Sequence, residues 1–175
     1  VATSDLKPAA RRVLDAMAWL ESGRIPMPWH RHVVAFAAEQ NPRAGQFRGH
    51  AARLVREGLV TTEPEHLLLT DAGREAAAEP DAPYSREDYW RRVDRKLDDD
   101  RQRGVALAVR VDPRPWTRTD FHAFMDVEPR ALAAALARLI TFRLIVAEGD
   151  GAYVGTPILT PLTVFERRRA QGRTG

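Results

Sequence analysis

The hydrophobic positions of the first half of the chain fall into helical runs followed by strand-like ones. In "DLKPAARRVLDAMAWLESG", Val13, Leu14, Met17 and Leu20 recur at helical spacing, with Pro8 in the first turn and Gly23 as a C-terminal cap. That pattern predicts one amphipathic helix. After "RIPMPW", the segment "HRHVVAFAAEQ" places Val33, Val34 and Phe36 to Ala38 on one side, until "NPRAG" breaks the run. "GQFRGHAARLVREG" then lines up Phe47, Ala51, Leu54 and Val55 before Gly58, giving a third helix over 44–57. "LVTTEPEHLLLT" reads as two strands about a Glu-Pro-Glu-His turn, and Thr70 or Asp71 can cap a closing helix in "TDAGREAAA".

The second half repeats much of this order. "SREDYWRRVDRKL" has Ser85 and Asp88 at capping-box-like spacing and starts a helix. In "GVALAVRVD", Val105, Leu107, Val109 and Val111 alternate; they are read as a strand, although the alanines would also suit a helix. "PRPWTRTDFHAFM" gives a second helix, "EPRALAAALARLITFRL" a third, and "IVAEGDGAYVG" a hairpin turning at Gly149 to Gly151. Two short motifs tie the halves together. "PMPWHR" at 26–31 and "PRPWTR" at 113–118 share Pro-x-Pro-Trp-x-Arg at an offset of 87, and "ARLVREGLV" matches "ARLITFRLI" at an offset of 85. One unit is therefore expected twice. Pro-x-Pro should hold the approach to the second helix extended, Trp29 and Trp116 should be buried at its start, and the Arg should lie in its first turn.

Three helices and a two-stranded hairpin, with "ARLVREGLV" leading into the hairpin and "LTDAGREA" leaving it, resemble the winged-helix regulators of the bacterial MarR and PadR type. The resemblance covers residues 8–78 and is most specific over 52–74. More faintly, the chain is similar to winged-helix tails of bacterial DNA-translocating ATPases. The resemblance implies a mainly α fold with small β-hairpins (α+β), built as two winged-helix domains in tandem. The expected bounds are 1–79 for the first domain, 80–84 for a linker, 85–160 for the second domain and 161–175 for a basic C-terminal tail. Implied with it is a transcriptional regulator, most often a repressor, that occupies double-stranded DNA in the cytoplasm, at the nucleoid.

In that framework the third helix enters the major groove, so its outward face is expected to carry the readers. Gln46, Gly49, Arg53 and Arg56 lie opposite the Phe47 and Leu54 side, Arg48 and His50 flank them, and Arg43 precedes the helix. Arg can pair with guanine, Gln with adenine, and the rest can meet phosphate. The second copy offers an alanine-lined face on which Arg138 alone matches its counterpart, Arg53. It is left for dimerisation or weaker backbone contacts.

Composition and charge qualify this picture. The 175 residues carry a formal charge of +3, but "ERRRAQGRTG" supplies all of it through Arg167, Arg168, Arg169 and Arg173 against Glu166. Those arginines are expected to act as an auxiliary clamp on phosphates. Both hairpins are acidic, with Glu63 and Glu65 beside His66 and with Glu148 and Asp150, which favours a rival class: a protein-interaction adaptor resembling the kleisin-binding subunits of bacterial condensins. The absence of cysteine excludes disulfides, thiolate nucleophiles and Cys-based zinc sites. His30 and His32 are the tightest pair of the five histidines, but positions i and i+2 do not share a helix face, so no metal or other cofactor is expected. "DDD" at 98–100 reads as a solvated helix end. No phosphate-binding Gly loop or nucleophile motif is present, and no enzyme is expected. No apolar run approaches the roughly 18 residues that span a bilayer. The chain begins at Val1, which fits either removal of an initiator Met or a piece of a longer protein.

Overall fold

A computed structural model describes residues 5–172. The fold is mixed α+β with helices dominant. In chain order the elements are α1 (Pro8–Ser22), β1 (Trp29–His30), α2 (Arg31–Ala37), α3 (Gly45–Arg56), β2 (Val60–Glu63), β3 (His66–Leu69) and α4 (Asp71–Ala76). There follow α5 (Arg86–Asp94), α6 (Asp100–Val111), β4 (Trp116–Thr117), α7 (Arg118–Phe124), α8 (Pro129–Thr141), β5 (Ile145–Ala147), β6 (Ala152–Gly155) and α9 (Val164–Gly172). Each half holds a three-stranded antiparallel sheet, ordered β1-β3-β2 in the first and β4-β6-β5 in the second.

The repeated tryptophan motif does the same work in both copies. Trp29 pairs with Leu67 across its sheet and Trp116 with Tyr153, so each motif supplies the third strand. The indoles are buried, at 2% and 4% exposure. Each also donates to the carbonyl four residues upstream: Trp29 Nε1 to Ile25 at 2.9 Å and Trp116 Nε1 to Asp112 at 2.7 Å. A buried indole N–H needs such a partner, and the extended Pro-x-Pro approach puts the carbonyl within reach. Arg31 and Arg118 open the following helices, as the motif predicts.

A second fastener recurs at the hairpin base. Thr70 donates its backbone N–H to Leu59 O at 3.2 Å, and its Oγ1 reaches Gly58 O and Leu59 O. Thr156 does the same with Leu144 O and Arg143 O. In the first copy the Thr70 hydroxyl also accepts the Gly73 N–H at 3.0 Å, capping α4. Gly73 is packed so tightly that an added Cβ would lie 2.1 Å from Leu59 O. This is the physical reason for the glycine in Leu-Thr-x-x-Gly.

The strand expected at 104–112 is a helix. Asp99 caps α6 by accepting the Gln102 N–H at 2.9 Å, and helix-forming Ala and Leu follow. Val105 and Val109 then point into the core, while Leu107 and Val111 are 49% and 68% exposed. Their alternation in sequence does not reflect one sheet face. The aspartate run is indeed the start of a helix. This correction improves the repeat, because α6 packs on α8 and precedes β4 much as α1 precedes β1. The segment after Ser85, read as the first helix of the second copy, becomes α5, an additional helix that packs against α2.

The halves share one contiguous core. At their seam Phe36 meets Phe142 edge to face, with centroids 5.7 Å apart. His32 is buried, and its Nδ1 lies 2.8 Å from Phe142 O. Arg92 of α5 stacks 3.8 Å over Trp19 and donates to Ala37 O at 2.6 Å. No helix or strand lies between Ala76 and Arg86, yet Tyr84 is docked on Trp19 at 4.8 Å between ring centroids.

The expected basic extension is also partly structured. Thr163 and Glu166 exchange hydrogen bonds at the start of α9, and Arg86 pairs with Glu166. Val164 N–H donates to Arg24 O at 3.2 Å, reaching back to the first half. Arg173, counted with the basic tail, lies outside the described residues. Among the described residues no helix is long and apolar enough to cross a membrane.

Gly73→Ala should destabilise the fold by about 1–3 kcal/mol through this backbone overlap, lowering Tm on the order of 5 °C in a chain of this size. Calorimetry on the two proteins checks it, and an unchanged Tm would show that the α4 turn yields freely.

Candidate nucleic-acid interface

α3 buries Phe47, Ala51 and Leu54 and turns the opposite side to solvent. The outward face centres on Gly45, Gly49, Ala52 and Arg56, all exposed. An added Cβ would meet nothing within 4 Å at either glycine, so the backbone there is open to close approach. Gln46 lies exposed on one flank and Arg48 on the other, which faces the β2–β3 hairpin. Arg43 is exposed just before the helix, where its backbone N–H is held by Asn41 Oδ1 at 2.9 Å. Gln46, Arg48, Gly49, Arg56 and Arg43 are thus brought together on one surface.

His50 and Arg53 are placed differently from expectation. His50 is half-buried at the edge of the core side. Arg53 is half-buried too; its guanidinium donates to Asp5 O at 3.0 Å, and its Nε has no partner. The helical spacing was right, but the segment before α1 folds across this side chain and takes up its donors. Arg53 is a brace for the N-terminal segment, which a helical wheel cannot show.

Arg138 departs further. It forms an ion pair with Asp98 at 3.1 Å and lies 4.3 Å over the Phe142 ring. Its charge is matched by the loop before α6, whose position depends on residues 104–112 being helical, although its Nε has no hydrogen-bond partner. Around it, Ala134, Ala137 and Thr141 are exposed and carry no charge. Arg167, Arg168 and Arg169 are exposed on α9.

A groove of about 440 Å³ runs between α3 and the hairpin, lined by Arg48, Ala52, Arg56, Thr62, Glu63 and Arg31 among others. Arg31 belongs to this surface as well, and in the sequence only the Trp-x-Arg motif marks it. Arg31, Arg43, Arg48 and Arg56 form no ion pair among the described residues. By contrast Arg74, Arg86, Arg95, Arg110, Arg114, Arg138 and Arg143 each sit against a carboxylate. Glu65, the acidic residue at the hairpin tip, is itself bound by Arg143 at 2.6 Å.

The histidine pair has structural duties. His30 Nδ1 accepts the His32 N–H at 3.1 Å and caps α2. Burial, then the neighbouring His32 and the Arg143 guanidinium, hold the His30 pKa down at about 4. Burial lowers that of His32 as well, partly opposed by its bond to Phe142 O. Among the described residues no group of three His, Asp or Glu side chains is arranged to hold a metal ion. Comparisons of the chain with protein-family models, curated proteins and solved structures return no match.

The histidines set an acid limit. Unfolded, an imidazole binds its proton near pH 6.5; folded, His30 does so near 4. The unfolded state therefore carries more protons between those values, and stability should fall as pH drops from about 6.5 toward 4. His30→Asn keeps an N-cap acceptor but removes the titration, so urea midpoints at pH 7 and pH 5 should differ less in the variant. Equal differences in both proteins would exclude His30 as the source.

Proposed function

We propose that the chain is a tandem winged-helix protein that binds double-stranded DNA through α3. The observation that carries the reading is the set of arginines without carboxylate partners: Arg43, Arg48 and Arg56, joined by Arg31, on and beside one glycine-containing helix face. Arginines such as Arg74, Arg110, Arg114 and Arg143 sit against carboxylates, whereas these four gather around one helix face, and a cationic surface left open fits an anionic partner. Gln46 and the exposed backbone at Gly45 and Gly49 fit a helix seated in the major groove. Repeated helix order, the third strand from each Trp motif and the hairpin after α3 support the winged-helix description. In this reading α3 supplies the base contacts, Arg43 and Arg31 meet phosphates, and the acidic hairpin lies off the duplex. The role that fits best is that of a regulator acting by occupying its site, as the resemblance of residues 52–74 to MarR- and PadR-type proteins implies.

The second copy favours another partner. With Arg138 paired, Ala134 and Ala137 exposed, and Glu148 and Asp150 at its hairpin, α8 offers a phosphate backbone little beyond the exposed Arg130. Protein contact, including self-association, is the reading for that half.

Binding to a random-sequence duplex across a salt series tests the proposal. With three or four phosphates neutralised, log K should fall against log salt with a slope of about −3. Arg48→Ala combined with Arg56→Ala should reduce that slope by about 2, while Arg138→Ala leaves it unchanged. A slope near zero would overturn DNA binding altogether. A slope lost only on replacing Arg167, Arg168 and Arg169 by Gln would move the contact from α3 to α9.

A further inference from the structure

Between the two copies lies a cavity of about 550 Å³, away from the outward face of α3. Both halves build it: Ile25, Trp29 and Val33 from the first, Ile140, Ile145 and Ile158 from the second. Its volume lies in the range that takes small organic molecules, and its walls are largely apolar. Ile140 and Val146 are 40% and 48% exposed along it, leaving hydrocarbon in contact with water.

The charged and titratable groups that line it are Arg143, Glu65, His30, His66 and Arg167. Arg143 is neutralised by Glu65 at 2.6 Å. His30, 3.3 Å from Arg143, is held uncharged at neutral pH by its lowered pKa. Arg167 of α9 lines the same cavity from its solvent side, and its guanidinium has no hydrogen-bond or ion-pair partner among the described residues. Apolar walls thus end at one unmatched cation.

We propose that this cavity binds a small amphipathic monoanion, an apolar ring or short acyl body carrying one acidic group, with its acidic head on Arg167. A neutral apolar molecule would leave Arg167 unpaired, and a cationic one would be repelled. A dianion would exceed the single available charge. The apolar body lies against residues of both copies, so the site exists only while they remain docked. This goes beyond the DNA reading and does not depend on it.

The test uses the full chain and two dyes with the same aromatic body, 1-anilinonaphthalene-8-sulfonate and the uncharged N-phenyl-1-naphthylamine. Fluorescence titration should show saturable one-to-one binding of the sulfonate, about fivefold tighter than the neutral dye, a preference typical of one exposed charge pair. Amide and indole shifts in ¹H–¹⁵N spectra should move at Trp29, Ile145 and Thr156 while the rest of the spectrum stays folded. Arg167→Gln, on an exposed helix surface, should bring the two affinities within about twofold. Val146→Glu, which adds a carboxylate to the wall, should weaken the sulfonate more than the neutral dye. The proposal is overturned by binding that does not saturate, by shifts centred elsewhere, or by a preference for the sulfonate that survives Arg167→Gln.

Discussion

The carbonyl of Phe142 is the point on which the arrangement of the two copies turns. It closes α8, where helix geometry leaves carbonyls without partners inside the helix. One of these is taken up by His32, a buried side chain of the other copy, 2.8 Å away. The same residue inserts its ring against Phe36 and has Arg138 over it. An unmet buried carbonyl costs roughly 1–3 kcal/mol, and a large buried ring contributes about as much again by leaving water. Polar satisfaction and apolar burial therefore select the same docking. His32 can serve only with a proton on Nδ1, and its burial keeps the ring neutral, so the seam also fixes a tautomer.

From that seam the rest of the architecture follows. Docking of α2 on the end of α8 leaves α1 and α2 with an uncovered side, which α5 fills by laying Arg92 across Trp19 and Ala37. Closing the seam also encloses the cavity between Ile25 and Ile158. The hairpin tip with Glu65 and His66 borders both that cavity and the groove along α3. One ion pair, Glu65 with Arg143, thus stands between the two surfaces for which ligands are proposed.

The elements legible in the sequence were those whose signal is local. The helix periods of α1, α3 and α8, the Ser85 cap, the hairpin turns and the paired tryptophans all follow from neighbouring residues. Residues 104–112 failed that test because Val, Leu and Ala in alternation satisfy two periods at once, and the deciding Asp99 cap lay outside the run. Of the α3 face, Gln46, Arg48, Gly49 and Arg56 were readable from helical spacing. Arg53 and Arg138 were not, since what engages them, Asp5 and Asp98, comes from segments whose path depends on the assembled fold. Thr70 and Thr156 are not legible as a pair in the sequence because their likeness lies in which carbonyls they reach, while the residues around them differ.

Those threonines bear on where the two halves can differ. Each clasps its hairpin at the base, against the two carbonyls that follow the third helix, so the packing of the core ends there and the tip hangs beyond it. Residues at the tip can change sign, length or partner with little disturbance to what lies beneath. The two tips differ accordingly: one is attached to the other half through Glu65, and the other, with Glu148 and Asp150, lies in water. A repeated unit fastened in this way can vary at its edges, where partners are met, more freely than at its joints.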